Sequence, residues 1–180
     1  MIRPLVLASA SPQRRAILAE AGIAFEVRPA NVDEVTAGDP REVALENARR
    51  KALAIAGDLV LGADTDVALD GDILGKPRDA VHARELVGRL NGRTHEVVGG
   101  IALARDGAVV ATAVEVTRVT FHASSDAALD RYVATGEWQG RAGGYAIQGE
   151  GGALVERIEG DYLNVVGLPL DRLRTLLSAV

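Results

Sequence analysis

Residues 94–121 are dominated by β-branched side chains and are divided once, by Asp106-Gly107. The pattern predicts two long antiparallel strands joined by a hairpin, because an Asp-Gly pair favours the tight turns that join such strands. Elsewhere, short apolar runs alternate with helix patterns. A long hairpin among alternating strands and helices predicts a mixed sheet covered by helices, and therefore an α/β fold.

Start and stop signals predict five helices and several shorter strands in a single domain over residues 1–180. The predicted helices cover residues 11–21 and 40–56, a segment from Asp79 to a stop at Asn91-Gly92, a segment capped by Ser125 or Asp126 and ending at Gly136, and the residues after Pro169. The other predicted strands are 5–8, 25–29, 59–61, 67–69, 73–74 (after the turn 70–72), 145–148 and about 154–158.

Composition narrows the classes of function. A net charge of −5 over 180 residues argues against a general binder of nucleic acid or anionic membranes, which needs a basic face, so any phosphate site is local. The absence of cysteine excludes disulfides, thiolate metal sites and a cysteine nucleophile, and the expected location is the cytoplasm. No apolar run approaches the ~20 residues of a membrane span. The first residues predict a strand better than a signal peptide.

A helix start at residues 9–15, Ser-Ala-Ser-Pro-Gln-Arg-Arg, carries cations where acids are usual. Ser11 is a good N-cap, and a cation in the first turn costs roughly 0.3–1 kcal/mol. A phosphate bound by the free amides, a serine hydroxyl and Arg14 would make that charge favourable. The alternative is that both arginines bend into solvent or pair with Glu20 or Glu26.

Carboxylates follow the predicted strand 59–61 at Asp64 and Asp66. We expect their side chains to point to opposite faces of the chain, so that only one lines a given cleft. Asp64 is the better candidate, because ligands collect at strand ends and a carboxylate after an apolar run needs a partner; the alternative is a turn or capping acid. Glu34 is a possible second oxygen ligand. Oxygen donors without a histidine cluster favour Mg²⁺ or Mn²⁺ over zinc.

The chain has only two lysines, Lys51 late in the second helix and Lys76 in a Gly-Lys-Pro turn. Lys51 has the alternative of serving the helix dipole. Together with Arg14, the lysines would supply three cations for a polyphosphate. This combination of carboxylates and cations indicates metal-assisted phosphoryl chemistry.

Other nucleotide-binding and hydrolase signatures do not fit. The glycine-rich residues 149–152 lead into strand-like residues where a dinucleotide fingerprint needs a helix, and there is neither a P-loop nor a G-x-S-x-G elbow. We expect His82, His95 and His122 to be non-catalytic.

Six blocks, in order along nearly the whole chain, resemble the Maf family of nucleoside triphosphate pyrophosphatases. The blocks are residues 9–12 with the arginines that follow, 62–65, 75–77, 91–95, 142–149 and 164–169. The resemblance implies a mixed α/β fold with two lobes around a cleft, related to the inosine triphosphate pyrophosphatases. It also implies hydrolysis of a nucleoside triphosphate to the monophosphate and pyrophosphate, and a homodimer.

The resemblance also assigns roles to residues. Asp64 resembles the proton acceptor, and the phosphate and metal shell would be Ser9, Arg14, Glu34, Lys51 and Lys76, with Glu34 and Asp64 on the metal. The Tyr-Ala-Ile-Gln block resembles the subgroup that prefers dTTP and UTP, in which Thr65 and Gln148 help to select the base.

Two positions depart from the family pattern. Gln13 stands at a usual arginine position that the family uses in substrate selection, and the loss of this cation weakens phosphate neutralisation unless Arg15 replaces it. Asp66 stands where an apolar residue is more common, and it either adds a metal contact or faces solvent.

The function hypothesis is a metal-dependent nucleoside triphosphate pyrophosphatase. The cation bridges phosphate oxygens, Asp64 orients or deprotonates a water, and Arg14 and the two lysines stabilise the developing charge. The alternative is a nucleotide-binding regulator of cell division that uses the same cleft without turnover. A phosphatase that releases inorganic phosphate is a third, less favoured hypothesis.

Overall fold

A computed structural model describes residues 4–180, so residues 1–3 of the predicted domain lie outside the described residues. Within that range lies one seven-stranded mixed sheet, in the order β2-β1-β3-β5-β6-β7, with β4 paired to β3. The strands are β1 (Leu5–Leu7), β2 (Phe25–Val27), β3 (Val60–Leu69), β4 (Asp72–Ile73), β5 (Thr94–Arg105), β6 (Ala108–Phe121) and β7 (Val155–Glu159). The helices are α1 (Pro12–Glu20), α2 (Pro40–Leu53), α3 (Ala80–Leu90), α4 (Asp126–Ala134), α5 (Tyr162–Val166) and α6 (Leu170–Ala179).

The sheet combines a parallel part with an antiparallel part. β1 pairs in parallel with β2 and β3, whereas β5 pairs in antiparallel fashion with β3 and with β6, and β6 with β7. The β5–β6 hairpin turns at Asp106 and Gly107, whose φ angles are 50° and 76°, and left-handed backbone of this kind is what a tight hairpin requires. The predicted α/β class and the long hairpin are confirmed.

Helix α2 packs directly on the middle of the sheet because two glycines lie beneath it. A Cβ atom on Gly62 would lie 2.0 Å from the Ala48 carbonyl oxygen, and one on Gly100 would lie 2.3 Å from that of Ala44. No side chain fits in these spaces. The position of every side chain on α2 relative to β3 therefore depends on this close approach.

The core is divided along β3, with different clusters at its two ends. Leu61 and Ala63 pack with residues of β1, α1 and α6, whereas Val67 and Leu69 pack with residues of α3, α4 and the segment before β7. Residues 64–66 lie between the two clusters. The two clusters correspond to the two predicted lobes, and the boundary between them falls on the carboxylates that the sequence singled out.

Several predicted element boundaries are wrong. The predicted strands 59–61 and 67–69 are one strand, because residues 64–66 pair with Val98, Gly99 and Gly100 of β5. Asp64 and Asp66 are therefore inside a strand and not after one. Helix α2 ends at Leu53, three residues before the predicted end.

The predicted strand 145–148 does not form. Gly143 and Gly144 have φ angles of 69° and 80° in a short 3₁₀ turn, and the amide of Gly149 donates to the Ala146 carbonyl in a tight turn. Tyr145 and Ile147 bury their side chains against α3 and α4 instead of pairing with a sheet. Helix α5 was not predicted. Among residues 4–180, no helix is both long enough and apolar enough to cross a membrane.

Candidate active site

A cleft of about 620 Å³ opens beside the middle of β3. β1 pairs with β3 at Val60 and Leu61, and β4 pairs with it at Ala68 and Leu69. Among the described residues, no strand pairs with this edge of β3 between those points. The cleft lies at this gap and is lined from β3 by residues 64, 65 and 67.

One wall of the cleft holds a lysine between two carboxylates. The Nζ atom of Lys51 lies 2.7 Å from an oxygen of Glu34 and 2.7 Å from Oδ1 of Asp64, and it also donates to the Ala63 carbonyl at 3.4 Å. Lys51 and Asp64 are 8% and 7% exposed. These contacts exclude a role for Lys51 that is confined to the helix dipole. They also bring together three of the predicted site residues, Glu34, Lys51 and Asp64.

Asn47 is a further residue of this wall, and the sequence analysis missed it. Its Nδ2 donates to Oδ2 of Asp64 at 3.0 Å and to the Val35 carbonyl at 2.9 Å, while its Oδ1 accepts from the Val35 amide at 2.7 Å. Asn47 therefore fixes both the carboxylate and the loop that carries Glu34. The signal was its spacing: Asn47 and Lys51 stand four residues apart, on one face of α2.

Arg14 lines the cleft and contacts three separate parts of the chain. Its Nε donates to the Gly167 carbonyl at 2.9 Å, its Nη1 to the Ser9 hydroxyl at 3.0 Å and its Nη2 to the Thr65 hydroxyl at 3.1 Å. Burial lowers the pKa of Arg14, whereas the nearby charges of Asp64 and Glu34 raise it. The alternative in which Arg14 bends into solvent or pairs with a glutamate is wrong.

The start of α1 forms the next part of the wall. The Ser11 hydroxyl caps the helix by accepting from the Arg14 amide at 3.4 Å, and it donates to Gln13 at 3.2 Å. Ser9, Ser11 and Gln13 all line the cleft. Arg15 is exposed and is not among the lining residues.

The opposite wall comes from two loops that are joined by a backbone hydrogen bond. The amide of Gly143 donates to the carbonyl of Gly75 at 2.8 Å. This bond holds the loop of Lys76 against the loop that carries Arg141 and Gln148, and all three of these side chains line the cleft. Lys76 and Gln148 are exposed. All predicted substrate-selecting residues (Gln13, Thr65 and Gln148) thus face one cavity.

Asp66 lies on the same face of β3 as Asp64, so the expectation of opposite faces is wrong. Alternate residues of a strand share a face, and Gly62 and Asp64, which precede Asp66 at that spacing, both contact α2. Asp66 is not among the lining residues, and its buried Oδ2 has no hydrogen-bond partner in the described chain. Burial, followed by the charges of Asp64 and Glu34, raises the pKa of Asp66 to about 7.

None of the three histidines lines the cleft. His95 is 2% exposed, and its Nε2 shares a hydrogen bond of 2.7 Å with the hydroxyl of Tyr145, a residue that does line the cleft. The imidazole also packs edge-to-face against Phe121. Burial lowers the pKa of His95 to about 4, so the ring is neutral near pH 7.

Glu34 and Asp64 fit a divalent cation in one respect. Their carboxylates already share a single positive charge, the ammonium of Lys51, and oxygen donors are the ligands that Mg²⁺ prefers. Within residues 4–180, no group of three or more histidine, cysteine, aspartate or glutamate side chains could hold a metal ion. An ion bound here would therefore need further oxygen ligands from substrate or water, which is usual for magnesium with phosphates.

Comparisons with known proteins show what the chain is similar to. The family model described as Maf-like protein matches residues 4–180. A dTTP/UTP pyrophosphatase of Anaeromyxobacter dehalogenans is 51% identical over 178 residues, which cover 96% of this chain and 92% of the relative. A dTTP/UTP pyrophosphatase of Pyrococcus furiosus is 45% identical over 175 residues, with coverage of 94% and 91%.

The fold also has a match among solved structures. The structure of a HAM1 protein from Coxiella burnetii aligns with a TM-score of 0.54 at 17% sequence identity and covers 99% of this chain and 100% of that one. At this identity the likeness concerns the fold alone. The family model and the curated relatives show that the chain belongs to the Maf family.

Proposed function

We propose that this protein hydrolyses a nucleoside triphosphate, with dTTP and UTP favoured, to the nucleoside monophosphate and pyrophosphate. The observation that carries the proposal is the single cleft in which the ion-paired group of Lys51, Glu34 and Asp64 faces the helix start with Arg14. A carboxylate that can take a proton and cations that can bind phosphate are the parts that phosphoryl chemistry needs. Relatives named dTTP/UTP pyrophosphatase support the substrate class.

Asp64 is proposed as the proton acceptor. Asn47 and Lys51 each hold one of its oxygens, which fixes the orientation of the carboxylate. A carboxylate oxygen accepts more than one hydrogen bond, so Asp64 can still accept one from a water. That water would attack phosphorus, the anhydride bond between the α- and β-phosphates would break, and its proton would pass to Asp64.

Ser9 and Arg14 are proposed to bind phosphate, with Lys51 and Lys76 stabilising the charge that develops. Arg14 uses three N–H groups on Gly167, Ser9 and Thr65, and a guanidinium has five. Two donors therefore remain for phosphate oxygens. Because these neighbours already hold Arg14 in place, little side-chain entropy is lost when it binds.

Glu34 and Asp64 are the proposed ligands for Mg²⁺ or Mn²⁺. When bound, such a cation supplies positive charge to phosphate oxygens and makes water more acidic. The two carboxylates, the Lys51 ammonium and a divalent cation would together carry a net charge of +1, which is available to the phosphates of the substrate.

Gln13, Thr65 and Gln148 are the proposed determinants of base preference. A carboxamide both donates and accepts hydrogen bonds, which suits a pyrimidine edge, and the side chain of Gln148 is exposed in the cleft. The Thr65 hydroxyl is engaged by Arg14 and donates to the Gly167 carbonyl at 3.3 Å. Thr65 would therefore act in concert with Arg14. The proposal further includes a cytoplasmic location and a homodimer.

Product analysis tests the proposed activity. The protein is incubated with dTTP, UTP, CTP and a methylated GTP in Mg²⁺ or Mn²⁺, and nucleoside monophosphate, pyrophosphate and inorganic phosphate are separated. We expect equal amounts of monophosphate and pyrophosphate from dTTP and UTP. Nucleotide binding without product under either metal would favour a non-catalytic regulator, and release of inorganic phosphate alone would identify a phosphatase.

A further inference from the structure

Arg141 lies in the cleft without a side-chain partner. It is half-buried and lines the cavity, yet its guanidinium makes no ion pair or hydrogen bond among the described residues. Other arginines of the chain, such as Arg84 and Arg172, bind carboxylates on the surface. The five N–H donors of this guanidinium are therefore free of protein partners and can bind a ligand in the cleft.

Backbone hydrogen bonds hold the loop of Arg141 in place before any ligand arrives. The amide of Arg141 donates to the Trp138 carbonyl at 3.1 Å, and its carbonyl accepts from the Gly144 amide at 3.0 Å. The bond from Gly143 to Gly75 ties the same loop to the loop of Lys76. Arg141 and Lys76 are thus carried by two loops that are tied to each other, and both side chains line the cleft.

The charges of the other residues in and near the cleft show why Arg141 and Lys76 are important for binding an anion. Lys51 is balanced by Glu34 and Asp64. Gln13 is neutral, and Arg15 is not a lining residue. The cleft cations that bind no carboxylate or neutral acceptor within the described chain are therefore Lys76 and Arg141.

We propose that Arg141 binds the pyrophosphate part of the substrate and, with Lys76, supplies the cationic charge that the neutral Gln13 does not. This inference rests on the proposed function. The pyrophosphate part carries most of the negative charge of a triphosphate, and its charge increases when the anhydride bond breaks. A guanidinium can bind two of its oxygens at once, which an ammonium cannot do in the same geometry.

Three variants test the proposal. Arg141→Gln removes the charge, Arg141→Lys keeps the charge without the fork, and Arg131→Gln is the matched control, since Arg131 is an exposed arginine of α4 that does not line the cleft. Calorimetry measures the Kd of pyrophosphate and of UMP in Mg²⁺, and steady-state assays measure kcat and KM for UTP. Thermal unfolding checks that each variant is folded.

We expect Arg141→Gln to raise the Kd of pyrophosphate and the KM for UTP on the order of 10- to 100-fold, the usual effect of losing hydrogen bonds to a charged group. UMP should bind within about twofold of the wild type, Arg141→Lys should fall in between, and Arg131→Gln should match the wild type. An unchanged pyrophosphate Kd, or equal losses for UMP, would overturn the assignment.

Failure of the proposed function can be told apart from failure of this inference. If the wild type turns over no nucleotide, the pyrophosphatase proposal fails, while the pyrophosphate Kd still decides whether Arg141 binds phosphates. If the wild type hydrolyses UTP and Arg141→Gln leaves the pyrophosphate Kd unchanged, only the inference about Arg141 fails. A wild type that does not bind pyrophosphate overturns it as well.

Discussion

Asp64 combines burial with two fixed hydrogen-bond partners, and this makes its carboxylate the most testable group of the site. Asp64→Asn keeps the size of the side chain and can keep one hydrogen bond, but it cannot accept a proton. General-base catalysis is typically worth ~10²- to 10⁴-fold in rate, and we expect kcat for UTP to fall by that amount. Turnover is measured as pyrophosphate release, with circular dichroism to confirm that the fold is intact.

Asp66→Asn is the matched control for that prediction. It removes a carboxylate two residues further along the same face of β3, from a side chain that does not line the cleft. We expect kcat to fall far less than in Asp64→Asn, because Asp66 does not line the cleft and binds neither Asn47 nor Lys51. Unchanged turnover in Asp64→Asn, or equal losses in both variants, would contradict the role of Asp64.

Lys51 lies between two carboxylates of the proposed active site, so its removal should affect stability as well as activity. Lys51→Met keeps the aliphatic length and leaves Asp64 and Glu34 without their cation. Removing one partner of a buried ion pair costs roughly 3–5 kcal/mol, and because the Glu34 side chain is 37% exposed we expect a loss of about 3 kcal/mol. The free energy of unfolding is measured by urea titration in the presence of a chelator.

Mg²⁺ should then stabilise the Lys51→Met variant more than the wild type, because the ion would replace the lost positive charge between the carboxylates. The control is Arg49→Met, two residues earlier on α2, where an exposed arginine makes no ion pair or side-chain hydrogen bond among the described residues; this change should cost at most about 0.5 kcal/mol. Equal effects of Mg²⁺ on both variants would argue against a metal at Glu34 and Asp64.

At the scale of the elements, the close packing of α2 on the sheet determines where Asn47 and Lys51 lie relative to Asp64. A methyl group on Gly100 would meet the backbone of Ala44 at 2.3 Å, and backbone cannot move as a side-chain end can. We expect Gly100→Ala to displace α2, to cost about 1–3 kcal/mol of unfolding free energy, and to lower kcat because α2 carries Asn47 and Lys51. Urea unfolding and the pyrophosphate assay measure the two effects.

Gly88→Ala provides the comparison for that variant. A Cβ on Gly88, which lies in the last turn of α3, would meet only the end of the Arg84 side chain, at 3.1 Å. In a helix interior, alanine is favoured over glycine by roughly 0.5–1 kcal/mol, so this variant should be at least as stable as the wild type and equally active. A Gly100→Ala variant that behaves like Gly88→Ala would mean that α2 is free to shift without consequence.

Elements with local signals were predictable, and those set by tertiary contacts were not. Ser11 and Asp39 cap α1 and α2 as their sequence indicates, and Asp106-Gly107 turns the long hairpin. The break expected at residues 64–66 does not occur because pairing with the glycines of β5 continues the strand through the polar residues. Residues 145–148 have the composition of a strand, but Tyr145 and Ile147 bury their side chains against α3 and α4 instead of pairing with the sheet.

The residues of the candidate site divide in the same way, into those with a local sequence signal and those whose position depends on tertiary contacts. Residues in short motifs, such as Ser9 and Lys76, were identifiable from their blocks, and the structure places them in one cleft. Asn47 was missed because its role depends on the packing of α2 against β3 and the loop of Val35. Arg141 was missed because its position depends on the contact between the loops of Gly75 and Gly143. The contact of Arg14 with Gly167, 153 residues away, is another that no local pattern indicates.

At the scale of the whole molecule, pH acts through His95, which lies in the apolar core behind the cleft. The folded state protonates this ring only below its lowered pKa of about 4, whereas the unfolded chain protonates it near the ordinary value of 6.5. Between these values the unfolded state binds more protons, so the free energy of unfolding falls as the pH is lowered from 6.5 towards 4. At about 1.36 kcal/mol per pKa unit, the full loss from this group is about 3 kcal/mol.

Two variants isolate that contribution in urea titrations at pH 4, 5, 6 and 7. In His95→Gln the titrating ring is gone, so its free energy of unfolding should depend less on pH, and the stability advantage of the wild type should shrink steadily below pH 6.5. In Tyr145→Phe the hydrogen bond of 2.7 Å is lost but the ring stays buried, and because burial is the cause of the shifted pKa the wild-type slope should remain. Parallel curves for the wild type and His95→Gln would show that the acid sensitivity of the molecule arises elsewhere.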